Sequence, residues 1–363
     1  FNSLSFERKA LVDLPDGFAD GAVYSDGTPV PVQKTRDGVK ALVSLPSCGA
    51  VSLYPKKETE DGAGKTSFSG ASVRKTQDGF VMENAFVRAE VNGRGEVVSF
   101  RLKTGCGTGS GQTSESGLSR EYAAGPMNRL RLFRDVPRKF DAWDIDSNYV
   151  SQELEGAYEI SVEPEGEGLE AVLKVTGRIG GSAYEQRIRL AAESRRLEFD
   201  TTVDWKELHR LLKAAFPVNV YAENGINEIQ FGYVERPAHR SRPYDQERFE
   251  VCNHHYSAFR DENGGAAVLN DCKYGVSMNE NSLELTLLRA AAAPEMRADN
   301  KVHRFTYAFT AWEGSFMESD VTRQGYELNV KPYAAPGSGR DFSLLSIDRP
   351  NIILDTLKPA EDG

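Results

Sequence analysis

Alternation of apolar and polar residues with a period of two runs through most of this chain, and a half-buried β-strand is the structure such a period serves. Leu283, Leu285 and Leu287 alternate with Glu284 and Thr286, and Phe305, Tyr307 and Phe309 alternate with Thr306 and Ala308. Val87, Ala89 and Val91 lead into Asn92-Gly93-Arg94-Gly95, after which Val98, Phe100 and Leu102 alternate with Ser99, Arg101 and Lys103. Asn-Gly between two such runs marks the tip of a hairpin, because both residues tolerate the positive φ of a tight turn. Further strands are expected over 169–175, 184–190 and 197–203, separated by short turns rich in Gly, Glu or Ser. Many short strands so punctuated build sandwiches rather than alternating βαβ units. The fold class read from the pattern is all-β.

One stretch fits two readings. Trp205, Leu208, Leu211, Leu212 and Ala215 have the spacing of an amphipathic helix face, yet the run ends at Phe216-Pro217 between strand-like segments. On pattern alone, helix and β-hairpin stay open. Residues 56–70 are polar and rich in Gly and Ser, and they separate a small N-terminal unit, residues 1–57, from a large unit, residues 66–363. Residues 105–118 are equally loose and read as a long surface loop inside the large unit.

Charge and composition narrow the function classes. With 44 Lys+Arg against 54 Asp+Glu the net charge is −10, and no strongly basic block occurs. A nucleic-acid partner is therefore not expected. Apolar runs fall far short of the ~18–20 residues a membrane helix needs, so a soluble protein with no membrane partner is expected. Cys48, Cys106, Cys252 and Cys272 form no Cys-x-x-Cys pair and are too sparse to staple a chain of this size. Free thiols, and with them a cytoplasmic location, are the expectation. No Asn-x-Ser/Thr acceptor occurs, which fits that compartment. The chain opens on Phe1 with no apolar leader, so it reads as a processed or excised piece.

Several motifs come close to known chemistry and fail. Gly105, Gly107, Gly109 and Gly111 are spaced like a phosphate loop, but Ser110 takes the last glycine position and no Gly-Lys-Ser/Thr follows. The five histidines, His209, His239, His254, His255 and His303, make no pair at helix spacing, which argues against a metal site built from one segment. Asp144, Asp146, Asn148 and Glu155 occupy positions 1, 3, 5 and 12 of a calcium loop, but Tyr149 stands where that loop needs Gly. The stretch from Asp135 through Asp141, Trp143, Asp144 and Asp146 carries more information. Carboxylates that accept from sugar hydroxyls, beside an aromatic that covers a pyranose face, are the mixture sugar sites use; a surface loop with an anchoring Trp is the alternative.

The same stretch carries a resemblance. Asn128, Leu130, Asp135 and Pro137, running into Asp141-Ala142-Trp143-Asp144-Ile145-Asp146, resemble the Asn-x-Leu, Asp-x-Pro and Asp-Ala-Trp-Asp-Ile-Asp signature of the glycoside hydrolase family 38 α-mannosidases. Similar phrases follow in order along nearly the whole chain: residues 1–8 and 83–99, Leu211 to Pro217, Phe231 to Pro237, Leu269 to Gly275, Leu287-Leu288-Arg289, Pro294, Asp299 and His303, and residues 357–362.

The resemblance implies the β-rich C-terminal portion of such an enzyme: a small β-sandwich followed by a large β-supersandwich of the galactose-mutarotase kind. In that family an Asp nucleophile, a second carboxylate and a zinc ion sit on an N-terminal α/β domain, so this chain alone is expected to be inactive, to bind no zinc itself, and to take that domain as its partner. The substrate implied is an α-mannoside oligosaccharide. A homo-oligomer is compatible with it. Residues 203–220 are then expected as a strand, a turn near Glu207 to His209, and a returning strand. Arg289, Trp143, Asp144, Asp299 and His303 are the substrate-binding candidates the resemblance implies; Asn300 departs from the usual Gly. A non-catalytic carbohydrate-binding or interaction module is the second reading. An epimerase like galactose mutarotase is the third, and no His and Glu spacing in the sequence demands it.

Overall fold

Period-two strands bury one face each, so they must stack as sheets. The computed structural model describes residues 1–36, 38–56, 68–103, 117–337 and 339–361. The Gly-rich run from Gly105 to Gly111, with Cys106, and most of the 56–70 stretch lie outside the described residues. The all-β expectation holds. The largest sheet has nine antiparallel strands in the order Tyr158–Gly166, Glu170–Ile179, Ser182–Ala191, Leu197–Asp204, Val302–Glu313, Gly264–Asn270, Tyr256–Asp261, Asn224–Ile229 and Gly232–Pro237. A five-stranded sheet runs Arg129–Arg134, Arg210–Pro217, Ser282–Arg289, Gly275–Asn279, Val251–Cys252. A four-stranded sheet contains the expected Asn-Gly hairpin, Val87–Asn92 with Val97–Leu102. Asn92 caps its turn by accepting the Arg94 and Glu96 amides at 2.9 and 3.0 Å.

One continuous core joins these three sheets. Phe309, on the nine-stranded sheet, shows how: it meets Phe100 of the four-stranded sheet edge-on at 4.9 Å and stacks on Phe216 of the five-stranded sheet at 5.7 Å. The helix Val321–Asn329 covers the other face of the nine-stranded sheet over Tyr256, Leu269 and Trp312. Gly325 lets it sit close, since a Cβ there would lie 3.1 Å from His255 Cβ.

The ambiguous stretch is neither helix nor hairpin. Leu197–Asp204 belongs to the nine-stranded sheet and Arg210–Pro217 to the five-stranded one, so residues 205–209 carry the chain across the core from one sheet to the other. The expected turn near His209 is there, at φ 50°, but the two strands do not pair with each other. The helix-like spacing has a physical origin. Arg210–Pro217 is buried on both faces, so six consecutive residues within it, Leu211 to Phe216, face core and the period of two is lost.

The small unit packs Val12, Leu14, Ala22, Val39, Ala41 and Val43 from two three-stranded sheets. The chain returns to it late in the sequence. Phe342–Ser343 pairs with Gly49–Ala50, Ser52 N donates to Asp341 Oδ1 at 2.6 Å, and Leu354 N donates to Ser5 Oγ at 2.8 Å.

Candidate functional site

Three loops meet at one end of the five-stranded sheet, and Arg289 ties them. It is the last residue of Ser282–Arg289, opposite Leu211. Its guanidinium bonds Asp135 Oδ2 at 2.7 Å, and Nη2 also donates to the carbonyls of Asp141 (3.1 Å) and Asp144 (2.6 Å). Asp135 follows strand Arg129–Arg134 and is 3% exposed. Burial pushes its carboxyl above the usual aspartate range against the pull of Arg289. A planar fork can serve one carboxylate and two carbonyls at once; an ammonium could not hold all three in fixed directions.

Asp141 makes the second tie. Its Oδ2 accepts from Ala292 N at 2.8 Å and Ala293 N at 3.1 Å, and contacts His209 Nε2 at 3.1 Å. His209 in turn donates its amide to Ala290 O and accepts from Asp135 N. Burial raises the Asp141 pKa, but the Ala292 amide and His209 outweigh it and hold the carboxyl below the usual range. A carboxylate with a lowered folded pKa stabilises the fold above its unfolded value, and that contribution is lost as the pH falls through the folded value. We expect Asp141→Asn to cost about 1–2 kcal/mol near neutral pH. In urea titrations the gap to wild type should narrow below about pH 4; an equal gap at pH 7 and pH 3 would contradict this account.

These ties present an exposed apolar surface. Phe140, at φ 56°, accepts the amides of Trp143 (2.7 Å) and Asp144 (2.9 Å), which turns the loop so that Trp143 is 74% exposed. Val136, Phe140, Leu208 and Met296, on the same three loops, are exposed as well. The Asp144 carboxylate accepts its neighbour's amide, Ile145 N, at 2.9 Å. Asp299 and His303 are joined to each other, since His303 Nε2 donates to the Asp299 carbonyl at 2.7 Å. Asn300 closes the turn that contains Asp299 by donating its amide to Arg297 O, with no positive φ. Trp205, fully buried in the crossover, links the two groups, with its amide on Lys301 O and Nε1 on Arg289 O at 2.9 Å.

The structure thus brings Arg289, Trp143 and Asp144 together. Among the described residues no hydrogen bond or ion pair joins Asp299 or His303 to those three. Of the calcium-like set, Asp146 instead accepts the Arg138 amide at 3.0 Å, and Tyr149 is buried within the short 3-10 turn Ser147–Ser151. Among the described residues no three His, Cys, Asp or Glu side chains gather to hold a metal.

Sequence reasoning overlooked a second charged group below this end. Lys213, 0% exposed, contacts Glu250, donates to Ser277 Oγ at 2.8 Å and reaches the Tyr149 hydroxyl at 3.1 Å. Tyr149 donates to the same Glu250 at 2.6 Å, and burial followed by that carboxylate pushes its phenol far up. A lysine inside the apolar run Leu211 to Phe216 was the available signal.

Residues 82–297 match the family described as "Glycosyl hydrolases family 38 C-terminal domain". The human protein named Alpha-mannosidase 2C1 is 32% identical over 331 residues, 89% of this chain and 30% of that protein. Alpha-mannosidase G of Dictyostelium discoideum is 29% identical over 384 residues, 100% of this chain and 34% of that protein. The chain therefore spans about a third of these relatives. A solved structure described as an alpha-mannosidase from Enterococcus faecalis V583 superposes with a TM-score of 0.67 at 12% identity, over 95% of this chain and 46% of that one, which shows a shared fold. Matched over more than half its length, this chain belongs to glycosyl hydrolase family 38 as a C-terminal domain of that family.

Proposed function

We propose that this chain is the β-rich C-terminal part of an α-mannosidase that removes terminal α-linked mannose with retention of configuration. It lends one wall to the sugar cleft and steadies a catalytic α/β domain of the same polypeptide. The observation that carries this reading is Trp143: a large aromatic held out to solvent beside Asp144, on a loop fixed by Arg289 through backbone bonds. An indole presented on a rigid loop suits the apolar face of a pyranose, and a neighbouring carboxylate accepts from its hydroxyls. Arg289 acts first as a positioning residue, because Asp135 and two carbonyls already engage it. Retaining hydrolysis places two carboxylates ~5–5.5 Å apart, and we assign neither to this chain. Zinc, implied by the family resemblance, finds no ligand set among the described residues. Cys48, Cys252 and Cys272 are free thiols, which supports a cytoplasmic enzyme.

The test uses the full-length polypeptide, supplied with zinc, on an aryl α-mannoside. Trp143→Ala should raise KM about tenfold, the loss of one stacking contact of roughly 1–1.5 kcal/mol. The melting temperature should not move, since the indole is exposed. Unchanged kinetics would remove Trp143 from the cleft. A full-length protein that binds mannosides yet hydrolyses none would favour a carbohydrate-binding module.

A further inference from the structure

A cleft of about 700 Å³ separates the small N-terminal sheets from the nine-stranded sheet and the helix Val321–Asn329, and charged side chains line it. Most of these charges are matched. Arg196 bonds Glu198 at 2.7 Å and Glu327 at 2.8 Å, while Arg189 and Lys40 share Glu170 at 2.9 and 3.0 Å. Arg8 differs. It is 7% exposed and lines the cleft from the start of strand Arg8–Leu14; Nη1 donates to Val330 O at 2.7 Å, and no carboxylate lies within ion-pair distance among the described residues. Its Nε and Nη2 are buried and make no hydrogen bond in the structure.

Those two nitrogens form the side-on edge of the guanidinium. Three other arginines of this protein use that same edge to grip a carboxylate with two bonds: Arg131 on Glu153, Arg187 on Glu165 and Arg242 on Asp245. Buried donors of a cation are seldom left without an acceptor, because the desolvation penalty is then not offset. A second buried group in the cleft has the opposite need. Gln324, 5% exposed, spends Nε2 on Asp320 Oδ1 at 2.8 Å, which fixes the amide orientation and leaves Oε1 buried with no donor. Lys331, also lining the cleft, acts on Glu198. Over the whole lining, eight Lys and Arg, among them Arg8, Arg196, Arg323 and Lys331, stand against seven Asp and Glu, among them Glu198, Asp320 and Glu327, so the cleft carries one positive charge in excess.

We propose that the Arg8 corner of this cleft binds a phosphoryl group, as inorganic phosphate or a phosphomonoester. Two phosphoryl oxygens accept from Arg8 Nε and Nη2, the bidentate geometry guanidinium and phosphate share. A P–OH, or a hydroxyl of the ester's organic part, donates to Gln324 Oε1. Sulfate has the same shape and charge but carries no O–H near neutral pH, so the amide acceptor selects against it.

Calorimetric titration of the 363-residue chain with sodium phosphate, a hexose monophosphate and sodium sulfate tests this. Both phosphates should saturate one site, with sulfate at least fivefold weaker. Arg8→Lys keeps the charge and loses the fork, and should weaken phosphate at least tenfold. Gln324→Leu should bring phosphate down to the sulfate level. Lys331→Ala, at an exposed position, should weaken both anions alike and serves where the Arg8 variant fails to fold. A tighter hexose monophosphate identifies an ester as the ligand, and equal affinity identifies the phosphoryl group alone. The proposal falls if wild type shows no saturable phosphate binding, or if phosphate affinity is the same in wild type, Gln324→Leu and Lys331→Ala.

Discussion

Arg289→Ala should cost this chain about 3–5 kcal/mol, the range for breaking a buried ion pair from one side. The damage comes chiefly from what stays behind: Asp135, which burial already disfavours as an anion, loses the only cation that bonds it among the described residues. The loop carbonyls of Asp141 and Asp144 lose their donor in the same step. Urea unfolding reads the total. Arg289→Lys should fall between, since an ammonium can meet Asp135 but not both carbonyls. If Asp135→Asn on the alanine background restores most of the loss, the uncompensated carboxylate is the cause. A loss under 1 kcal/mol for Arg289→Ala would mean the loop is held without it. On the proposed function, the same substitution in the full-length polypeptide should lower kcat/KM along with loop order, which makes Trp143 the cleaner probe of the proposed cleft.

Lys213→Met should be as severe, at about 3–5 kcal/mol. Methionine fills the space and needs no partner, yet Glu250, itself largely buried, loses its only ion-pair partner among the described residues and is left with two neutral donors, Tyr149 at 2.6 Å and Thr286 at 3.1 Å, and the more distant charge of Arg240. Adding Glu250→Gln removes that charge and keeps an acceptor for one hydroxyl, while the amide NH2 can donate to the other hydroxyl oxygen, and should return half the loss or more. Should the double variant prove no better than Lys213→Met, lost packing rather than stranded charge would be responsible.

Both residues show where sequence ran ahead of structure and where it fell behind. The alternation at Leu283, Leu285 and Leu287 and the Asn92-Gly93 turn specify themselves locally, so they were legible. The run Leu211 to Phe216 was not, because a strand covered on both faces carries no period. Arg289 and the Asp141 to Asp146 phrase could be singled out, but their joining could not: Arg289 and Asp135 lie 154 residues apart, and nothing local marks them as partners. The Asp141 and His209 contact depends likewise on the crossover at 205–209, whose two strands looked like one hairpin. Exposure of Trp143 follows from the positive φ of Phe140, a backbone state that sequence does not announce for an aromatic.

The late strand laid on the small unit bears on the order of events during synthesis. Ser47 and Ser343 touch across 296 residues of chain, and Gly49–Ala50 has Phe342–Ser343 as its partner. Residues 49–50 must therefore wait, with that edge unpaired, until residues 342–343 have left the ribosome. Bridging so long a span also means its closing contacts come at high entropic cost and slow the final step. Between the two units, the one made earlier is thus the one whose last edge is sealed late.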